Sequence, residues 1–339
     1  MKALVIDKPG QAFVRETQYP RPADDEVVIE VKNCGICATD LHIYGGDYVG
    51  SYPVIPGHEM SGVIIEIGKN VPDAAGLEAG TRVTVDPNIY CGSCYFCRTN
   101  RSNHCLNWNA LGVTRNGGFA EYVAAPYRNV YRIPDNMSFI EAAFVEPVSC
   151  VVYGLKRLKI TSGDSVLIFG AGPIGLQMTQ LAQYGNAASV TIVDLKEDRL
   201  RLARKLGIKN AVLSDDGLPQ VLKDIAPLGF DVVIDVTGVA AVSEMTVNYV
   251  KNTGKIMFFG VCSPEDKIML SPFEVYKRDL EIYGSYALCQ TFYPALDLIN
   301  NKILDVASLV SSCICLDDLP EALESKKFRE ENMKIMVKF

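Results

Sequence analysis

The sequence predicts an α/β protein with a doubly wound parallel sheet and a second, β-rich domain. The chain has 339 residues, more than one hydrophobic core usually organises, so about two domains are expected. Between residues 164 and 194, a buried strand is followed by a glycine-rich turn, a helix and a second strand. Further apolar strands follow at 230–238, 254–261 and 279–286. This alternation of strands and helices is typical of βαβ units in a parallel sheet.

The glycine-rich turn predicts a dinucleotide site. From residue 164 the chain runs DSVLIFGAGPIGLQMTQLAQYG. In this pattern Gly170 permits the tight turn, Gly172 lets the backbone approach a pyrophosphate, and Gly175 lets the helix pack on the strand. The helix N-terminus adds partial positive charge toward the phosphates. Asp194 ends the next strand, nineteen residues past Gly175, where its carboxylate can bind ribose hydroxyls. Strand, glycines, helix and acid together define a Rossmann fingerprint.

The acidic residue also bears on the choice of cofactor. A carboxylate at Asp194 repels a 2′-phosphate, which favours NAD over NADP. Lys196 and Arg199 lie nearby in the sequence, and because both are cationic they keep NADP from being excluded as the cofactor. The other predicted cofactor contacts are at the start of the helix and at the carboxyl ends of the later strands, and they are Pro173, Ile174, Thr237, Gly260, Val261, Gly284 and Ser285.

Charge and targeting signals exclude several classes of partner. The formal net charge is −7, which disfavours a nucleic-acid surface because phosphate binding needs clustered Lys and Arg. The opening MKALVIDKPG has too short an apolar run for a signal peptide. No run approaches the roughly 18 apolar residues of a membrane helix. We therefore expect a cytoplasmic protein without a membrane partner, in which clustered cysteines are more typical of metal ligands than of disulfides.

Four of the eleven cysteines fall within the stretch CGSCYFCRTNRSNHC. They are Cys91, Cys94, Cys97 and Cys105, and their thiolates can complete a tetrahedral zinc shell. An iron–sulfur cluster uses similar spacing, but no Pro follows Cys105 and no second cysteine run exists. Metal-free thiols or a redox pair are the remaining alternatives. The pattern favours a structural zinc lobe over 88–110.

A second group of metal-ligand residues is spread along the chain. Cys37 precedes the polar run ATDLH, His58 and Glu59 follow a glycine, and Glu146 precedes a proline. Thiolate, imidazole and carboxylate together suit zinc, and a set that leaves one position open is the catalytic arrangement. Each residue alone is weak evidence, but the joint pattern is specific. The other six cysteines are predicted to be core residues, and they are Cys34, Cys150, Cys262, Cys289, Cys313 and Cys315.

These motifs together resemble those of one enzyme family. The stretches GHEMSGVI, NGGFAEYV and GAGPIG, with the four-cysteine lobe, stand in the order and spacing of the zinc-dependent medium-chain dehydrogenase/reductase family. The resemblance covers essentially the whole chain. Glu146 followed by Pro147 resembles the polyol (sorbitol) dehydrogenase branch, close to L-threonine dehydrogenase.

The resemblance implies the domain plan and the assembly. A GroES-like catalytic domain is expected over 1–149 and 286–339, and a Rossmann NAD-binding domain over 150–285. Family members of this kind form homodimers or homotetramers, so a homo-oligomer is expected. Two zinc ions per chain are implied, one structural and one catalytic.

The same resemblance assigns roles at the catalytic zinc. Cys37 and His58 correspond to two of its ligands. Glu59 and Glu146 correspond to carboxylates that alternate between binding zinc and holding its water, and Glu146 also lies near the substrate. The implied reaction is hydride transfer between a secondary alcohol of a polyol and NAD.

Substrate and proton-relay positions are implied in the same way. Thr39 and His42 correspond to the proton relay, and Tyr44 to a residue beside the polyol. Sorbitol dehydrogenases carry an arginine where this chain has Ala287, so the particular polyol stays open.

Two other substrates and one non-enzymatic function compete with a polyol. L-Threonine shares the metal and relay residues, although no partner for an amino acid's charges stands out. A polyol phosphate such as galactitol 1-phosphate would need a cation, for which Arg115, Lys277 and Arg278 are candidates, each more typical of solvated surface. A metal-free dinucleotide sensor would not need two complete metal-ligand sets.

Overall fold

The computed structural model describes residues 1–47 and 50–339. The chain divides into two compact units. The first comprises residues 1–149, 288–302 and 306–339, and the second comprises 150–287 and 303–305. The sequence-based division differs from these units at 286–287 and at 303–305. The latter segment joins the second unit, where the backbone N–H of Asp305 donates to the side chain of Gln180, 2.8 Å away.

Seventeen strands are assigned in the described ranges. They are β1 (Lys2–Lys8), β2 (Gln11–Glu16), β3 (Glu26–Gly35), β4 (Glu59–Ile67), β5 (Arg82–Val85), β6 (Asn88–Ile89), β7 (Asn109–Ala110), β8 (Tyr122–Pro126), β9 (Val130–Arg132), β10 (Ser165–Phe169), β11 (Ser189–Asp194), β12 (Asn210–Leu213), β13 (Phe230–Asp235), β14 (Val250–Phe258), β15 (Glu281–Gly284), β16 (Val310–Ile314) and β17 (Lys334–Lys338).

The same residues contain twelve α-helices besides short 3₁₀ turns. They are α1 (Ala38–Gly45), α2 (Tyr95–Arg98), α3 (Phe139–Ala143), α4 (Val145–Leu158), α5 (Pro173–Tyr184), α6 (Glu197–Lys205), α7 (Leu218–Ile225), α8 (Ala240–Met245), α9 (Pro272–Lys277), α10 (Phe292–Asn300), α11 (Leu319–Glu324) and α12 (Lys326–Glu331). Within the part of the chain that the structure describes, no helix is both long and apolar enough to cross a bilayer.

The first unit is built on a seven-stranded, mainly antiparallel sheet. Its strand order is β16-β17-β3-β4-β5-β9, and β8 pairs with β3 in addition. Valine and isoleucine fill four of the ten positions of β3, and its first four residues are all buried, as expected for a strand covered on both faces. The register of β3 with β4 sets Gly35 opposite Glu59. The end of β3 and the start of β4 are therefore adjacent. This pairing brings Cys37, which follows β3, close to His58, which precedes β4.

The second unit contains a six-stranded parallel sheet, which confirms the predicted fold class. The strand order is β12-β11-β10-β13-β14-β15. Counted from β10, this is 3-2-1-4-5-6, the doubly wound order in which ligands bind where the order reverses, at the carboxyl ends of the strands. The reversal lies between β10 and β13, whose parallel register runs from Val166 to Phe169 on β10. The glycine-rich turn follows β10 directly.

The six cysteines predicted to lie in the core differ in their burial. Cys34 and Cys289 are buried, as predicted, whereas Cys313 and Cys315 are exposed, so the prediction was wrong for the last two. Cys313 lies on β16, which pairs on one side only among the described residues and alternates between half-buried and exposed positions, and Cys315 directly follows this strand. The two half-buried members are Cys150 and Cys262.

Candidate active site

Three of the four residues predicted for the catalytic zinc lie together. One ligand atom from each of Cys37, His58 and Glu59 lies within 4.8 Å of the others. Cys37 is the N-cap residue of α1, Glu59 is the first residue of β4, and His58 directly precedes it. Gly57 turns the chain into this strand at φ +90°, and a Cβ there would lie 2.8 Å from the Phe119 ring. A glycine is therefore required at this position for both conformational and steric reasons.

The buried carboxylate of Asp40 fixes the geometry of this cluster. Its Oδ2 accepts the backbone N–H of Cys37 at 2.9 Å, and its Oδ1 accepts that of Gly57 at 3.1 Å. The same Oδ1 lies 3.4 Å from Nδ1 of His58. A carboxylate on one ring nitrogen leaves the other nitrogen for a metal, the arrangement usual for metal-ligating histidines. Sequence analysis missed Asp40, although an acid three residues after a helix N-cap is a recognisable capping signal.

Electrostatics in this cluster favour a cation. Burial disfavours a charged imidazole, but the opposing charges of Asp40 and Cys37 outweigh it and raise the pKa of His58 well above its ordinary value. The Cys37 sulfur, the Glu59 carboxylate and the His58 imidazole therefore form an electron-rich group in which two members are buried and Cys37 is half-buried. The donor set fits Zn²⁺, which is bound in proteins by thiolate, imidazole and carboxylate ligands.

A buried lysine from the far end of the chain completes the cluster. Nζ of Lys334 forms an ion pair with Glu59 and donates to the carbonyl of Ile36 at 2.9 Å. The two charged side chains are 5% and 2% exposed. Burial alone lowers the pKa of a lysine, but Glu59 and Cys37 raise it here above its ordinary value. A Cβ on Gly35 would lie 2.2 Å from the Glu59 carboxylate. Any side chain at position 35 would therefore clash with the ion pair of Glu59 and Lys334.

Glu146 is not a member of the Cys37–His58–Glu59 group. It lies in the first turn of α4 and is buried.

The predicted proton-relay residues, Thr39 and His42, lie on α1. The hydroxyl of Thr39 is 3.7 Å from the Cys37 sulfur.

The two other predicted site residues on α1, His42 and Tyr44, have polar partners within the protein. Nδ1 of His42 is 3.0 Å from the Asp47 carboxylate, and the imidazole is about a quarter exposed. The hydroxyl of Tyr44, predicted near the substrate, lies 3.2 Å from both the carbonyl of Gly10 and the carboxylate of Glu324. Its hydroxyl hydrogen is thus engaged within the protein.

The four lobe cysteines converge as one cluster. The Sγ–Sγ distances are 3.5 Å for Cys94–Cys97, 3.5 Å for Cys91–Cys105, 3.9 Å for Cys94–Cys105 and 4.0 Å for Cys91–Cys97. A tetrahedron of sulfurs with Zn–S bonds of about 2.3 Å has edges of about 3.8 Å. All four are free thiols. The distances therefore fit a closed zinc shell and are far too long for disulfide bonds.

Hydrogen bonds in the lobe stabilise thiolates. The Ser93 hydroxyl and backbone, followed by the backbone N–H of Cys94, lower the pKa of Cys91 to about 5. Burial, followed by the neighbouring sulfurs of Cys94 and Cys105, raises the pKa of Cys97 to about 12. Repulsion among several sulfurs thus opposes full ionisation of the cluster, and a dication in the centre would relieve it.

In the second unit, the predicted glycine turn has the geometry its sequence implies. Gly170 adopts φ +106°, and a Cβ on Gly175 would lie only 1.8 Å from the carbonyl oxygen of Gly170. A Cβ on Gly172 would meet no atom within 4 Å, so open space lies above it. Pro173 and Ile174 begin α5 directly after this glycine, and the helix N-terminus adjoins the open space.

The acid at the end of β11 supports this turn. One oxygen of the Asp194 carboxylate accepts the N–H of Ala171 at 2.7 Å, and the other accepts that of Lys196 at 2.8 Å. Arg199 lies 3.5 Å from it. The carboxylate is therefore held in place by backbone donors, with remaining lone pairs for a ligand.

The later predicted cofactor residues lie at the ends of β13 to β15. Both the N–H and the hydroxyl of Thr237 donate to the fully buried Asp235. A Cβ on Gly260 would lie 2.1 Å from the nitrogen of Gly238, so these two loops touch through their backbones. Sequence analysis missed Asp235, because an acid inside an apolar strand gives no local sign of its partners.

The other residues in this set are differently placed. Val261 is 56% exposed. A Cβ on Gly284 would meet nothing within 4 Å, and the buried hydroxyl of Ser285 has no hydrogen-bond partner among the described residues.

The three cations proposed for a substrate phosphate are otherwise engaged. Arg115 pairs with the nearly buried Glu26 at 2.6 Å. Arg278 donates to the carbonyl of Val247 at 2.9 Å, and Lys277 lies over an aromatic ring.

Comparison with known proteins identifies the family. Residues 23–135 match the family model described as "Alcohol dehydrogenase GroES-like domain", and residues 173–301 match the model described as "Zinc-binding dehydrogenase". The chain therefore belongs to the zinc-type alcohol dehydrogenases of the medium-chain dehydrogenase/reductase family and is an oxidoreductase. The predicted resemblance and the predicted GroES-like and Rossmann folds are confirmed.

Within this family, the chain is similar to dehydrogenases named for polyols and for L-threonine. The chain is 36% identical to the D-altritol 5-dehydrogenase of Agrobacterium fabrum over 99% of this chain and 98% of that enzyme. It is 32% identical to D-arabinitol dehydrogenase 1 of Uromyces fabae over 100% and 97%. L-Threonine 3-dehydrogenases are also relatives, such as that of Pseudoalteromonas atlantica at 32% over 96% of each chain. A solved zinc-binding dehydrogenase from Sinorhizobium meliloti, bound to NADP, has a TM-score of 0.93 at 32% identity, covering 100% and 99%.

The buried pair of Lys334 and Glu59 yields a stability prediction. Replacing Lys334→Met leaves a buried carboxylate without its cation and should lower the free energy of unfolding by about 3–5 kcal/mol. The matched control is Lys302→Met, which removes a partly exposed ion pair with Glu141 and should change it by less than about 1 kcal/mol. Urea denaturation followed by circular dichroism measures both. Equal losses in the two variants would contradict a special role for the buried pair.

Proposed function

We propose that this chain is an NAD-dependent dehydrogenase that oxidises a secondary hydroxyl of a polyol. The observation that carries the proposal is the convergence of Cys37, His58 and Glu59 within 4.8 Å. Cys37 and His58 would hold zinc, with Glu59 and Glu146 as alternating carboxylates. Relatives that act on altritol and arabinitol support a polyol. The engagement of Arg115 and Arg278 elsewhere weighs against a phosphorylated substrate.

The residues around this set suit removal of a proton from an alcohol. When bound, zinc would supply Lewis acidity toward the hydroxyl, and NAD the hydride acceptor. The Thr39 hydroxyl beside Cys37 can accept the alcohol proton and pass it toward His42. Asp47 orients His42, and the partial exposure of this imidazole lets it exchange the proton with solvent. Asp40 keeps the cluster from shifting during these transfers.

NAD is the proposed cofactor at the glycine turn. Gly172 faces open space beside the N-terminus of α5, which suits a pyrophosphate. The Asp194 carboxylate, fixed by two backbone donors, suits ribose hydroxyls and opposes a 2′-phosphate. Thr237, Gly260, Val261, Gly284 and Ser285 are the further proposed contacts.

Mutation of the thiolate tests the reaction. Cys37→Ala should lower polyol-dependent NADH formation by at least about 1,000-fold, since a metal ligand is lost, and leave NAD affinity unchanged. Absorbance at 340 nm with a panel of C4–C6 polyols, L-threonine and galactitol 1-phosphate measures turnover, and calorimetry measures NAD binding. Cys313→Ala, an exposed thiol, is the control. Near-normal turnover in Cys37→Ala would refute the proposed site, and turnover of L-threonine alone would reassign the substrate.

We also propose that the four-cysteine lobe holds a structural zinc. Cys94→Ser should lower the zinc content from two ions to one per chain and lower the melting temperature, because a closed shell contributes directly to folding. Cys313→Ser should change neither. Inductively coupled plasma mass spectrometry and differential scanning calorimetry provide the readouts. Two zinc ions and an unchanged melting temperature in Cys94→Ser would exclude the lobe as a zinc site.

A homodimer or homotetramer is the proposed assembly, formed through the edge of the parallel sheet. Among the described residues, β15 pairs with β14 alone, which leaves one side open for a second copy. Apolar side chains stand exposed nearby in sequence, including Met269, Phe273 and Tyr276.

An edge substitution tests this assembly. Ile282→Arg, on β15, should shift the sedimentation coefficient toward that of a monomer, whereas Leu228→Arg, an exposed site on the loop after α7, should not. Analytical ultracentrifugation measures both. A wild-type monomer, or an unaltered oligomer in Ile282→Arg, would contradict the proposal.

A further inference from the structure

The loop between the third and fourth lobe cysteines is tied to a distant segment. The carbonyl of Asn100 and the hydroxyl of Ser102 each lie 3.5 Å from the sulfur of Cys289. The side chain of Gln290 donates to that of Asn100 at 3.2 Å. Ser102 and Cys289 are both buried. The thiol hydrogen can serve the Asn100 carbonyl while the Ser102 hydroxyl donates to the sulfur, so each donor has one acceptor.

The next residue of that segment continues the chain of contacts. Thr291 and Ser149 are both fully buried. The hydroxyl of Thr291 donates to the carbonyl of Ser149 at 2.9 Å, and the two hydroxyl oxygens are also 2.9 Å apart. Because each hydroxyl has one hydrogen, Ser149 then donates to Thr291. Loss of one member would leave a buried polar group unpaired, which is unfavourable.

The last link lies within one helix. Ser149 and Glu146 both belong to α4 and are three residues apart, so they lie on the same face, one turn from each other. Because one hydrogen-bonded turn of an α-helix is rigid, a displacement of Ser149 also displaces Glu146. The contacts from Ser102 through Cys289 and Thr291 therefore end one turn from the Glu146 carboxyl group, and all of them lie within the first unit.

We infer that the four-cysteine lobe is a positioning element for Glu146, with Cys289 and Thr291 as positioning residues. A metal shell of four thiolates fixes the loop that carries Ser102, and the buried contacts pass this placement to α4. The inference rests on the proposed function in one respect, that Glu146 takes part in the reaction. It assigns the lobe a kinetic role in addition to its contribution to stability.

Helix α10, which follows Thr291, has independent anchors. The ring of Tyr131 packs against Phe292 and Tyr293, with centroid distances of 4.5 and 4.7 Å. At the other end, Lys302 pairs with Glu141. Removing the Thr291 hydroxyl should therefore leave this helix in place and loosen mainly the contact with α4.

Paired substitutions at Thr291 test the inference. Thr291→Val keeps the side-chain shape and removes the hydroxyl, while Thr291→Ser keeps the hydroxyl. Thr291→Val should lower kcat by about 10- to 100-fold, the range for groups that orient a metal site, with both zinc ions retained. It should also speed amide hydrogen exchange in a peptide covering 145–150. Thr291→Ser should keep kcat and the exchange rate at 145–150 near their wild-type values. Cys289→Ala should lower kcat and speed this exchange, as Thr291→Val does.

A double mutant separates positioning from general damage. In a Glu146→Gln background, Thr291→Val should lower kcat no further, because the group it positions is already gone. Losses that multiply, or wild-type exchange at 145–150 in both Thr291→Val and Cys289→Ala, would overturn the inference. If the unmodified protein oxidises no polyol, the proposed function fails, while the exchange measurement still decides whether the lobe holds α4.

Discussion

The carboxylate of Asp40 is the contact on which the candidate metal centre depends. It accepts the backbone N–H of Cys37 and that of Gly57, the residue before His58, and it faces the His58 imidazole itself. Without this carboxylate the N–H of Gly57 would be unpaired in a buried place and that of Cys37 in a half-buried one, and an unpaired buried donor costs about 1–3 kcal/mol. The pairing of β3 with β4 brings these segments near each other, and this single side chain sets their final spacing.

The two metal-ligand sets balance charge by different means. In the lobe, Cys91 is exposed and the sulfurs accept hydrogen bonds from nearby N–H groups, so water and backbone dipoles spread the negative charge. In the other set His58 and Glu59 are buried and Cys37 is half-buried, and there a full positive charge on Lys334 faces Glu59. Desolvated charges are stable only with such partners. The difference suits the two proposed roles, in which the lobe stays closed and the other centre accepts a substrate.

Sequence reasoning succeeded where a structural rule is local. The turn around Gly170 and Gly175 could be predicted because steric limits on neighbouring residues define it, and the cysteine lobe because its spacing is short. Contacts that depend on long-range pairing could not be predicted. Lys334 meets Glu59 only through strand β17, and the partners of Tyr44 come from two distant segments. The exposure of Cys313 and Cys315 depended on which strand forms the sheet edge, and this is a property of topology.

The buried lysine also bears on the order in which the protein matures. Cys37, His58 and Glu59 leave the ribosome long before Lys334, which lies on strand β17. Until that strand adds to the sheet, the Glu59 carboxylate has no counter-charge and Gly35 no cover. The proposed metal centre therefore attains its final electrostatic form only after β17 has been synthesised, although these three candidate ligands precede that strand by more than 270 residues.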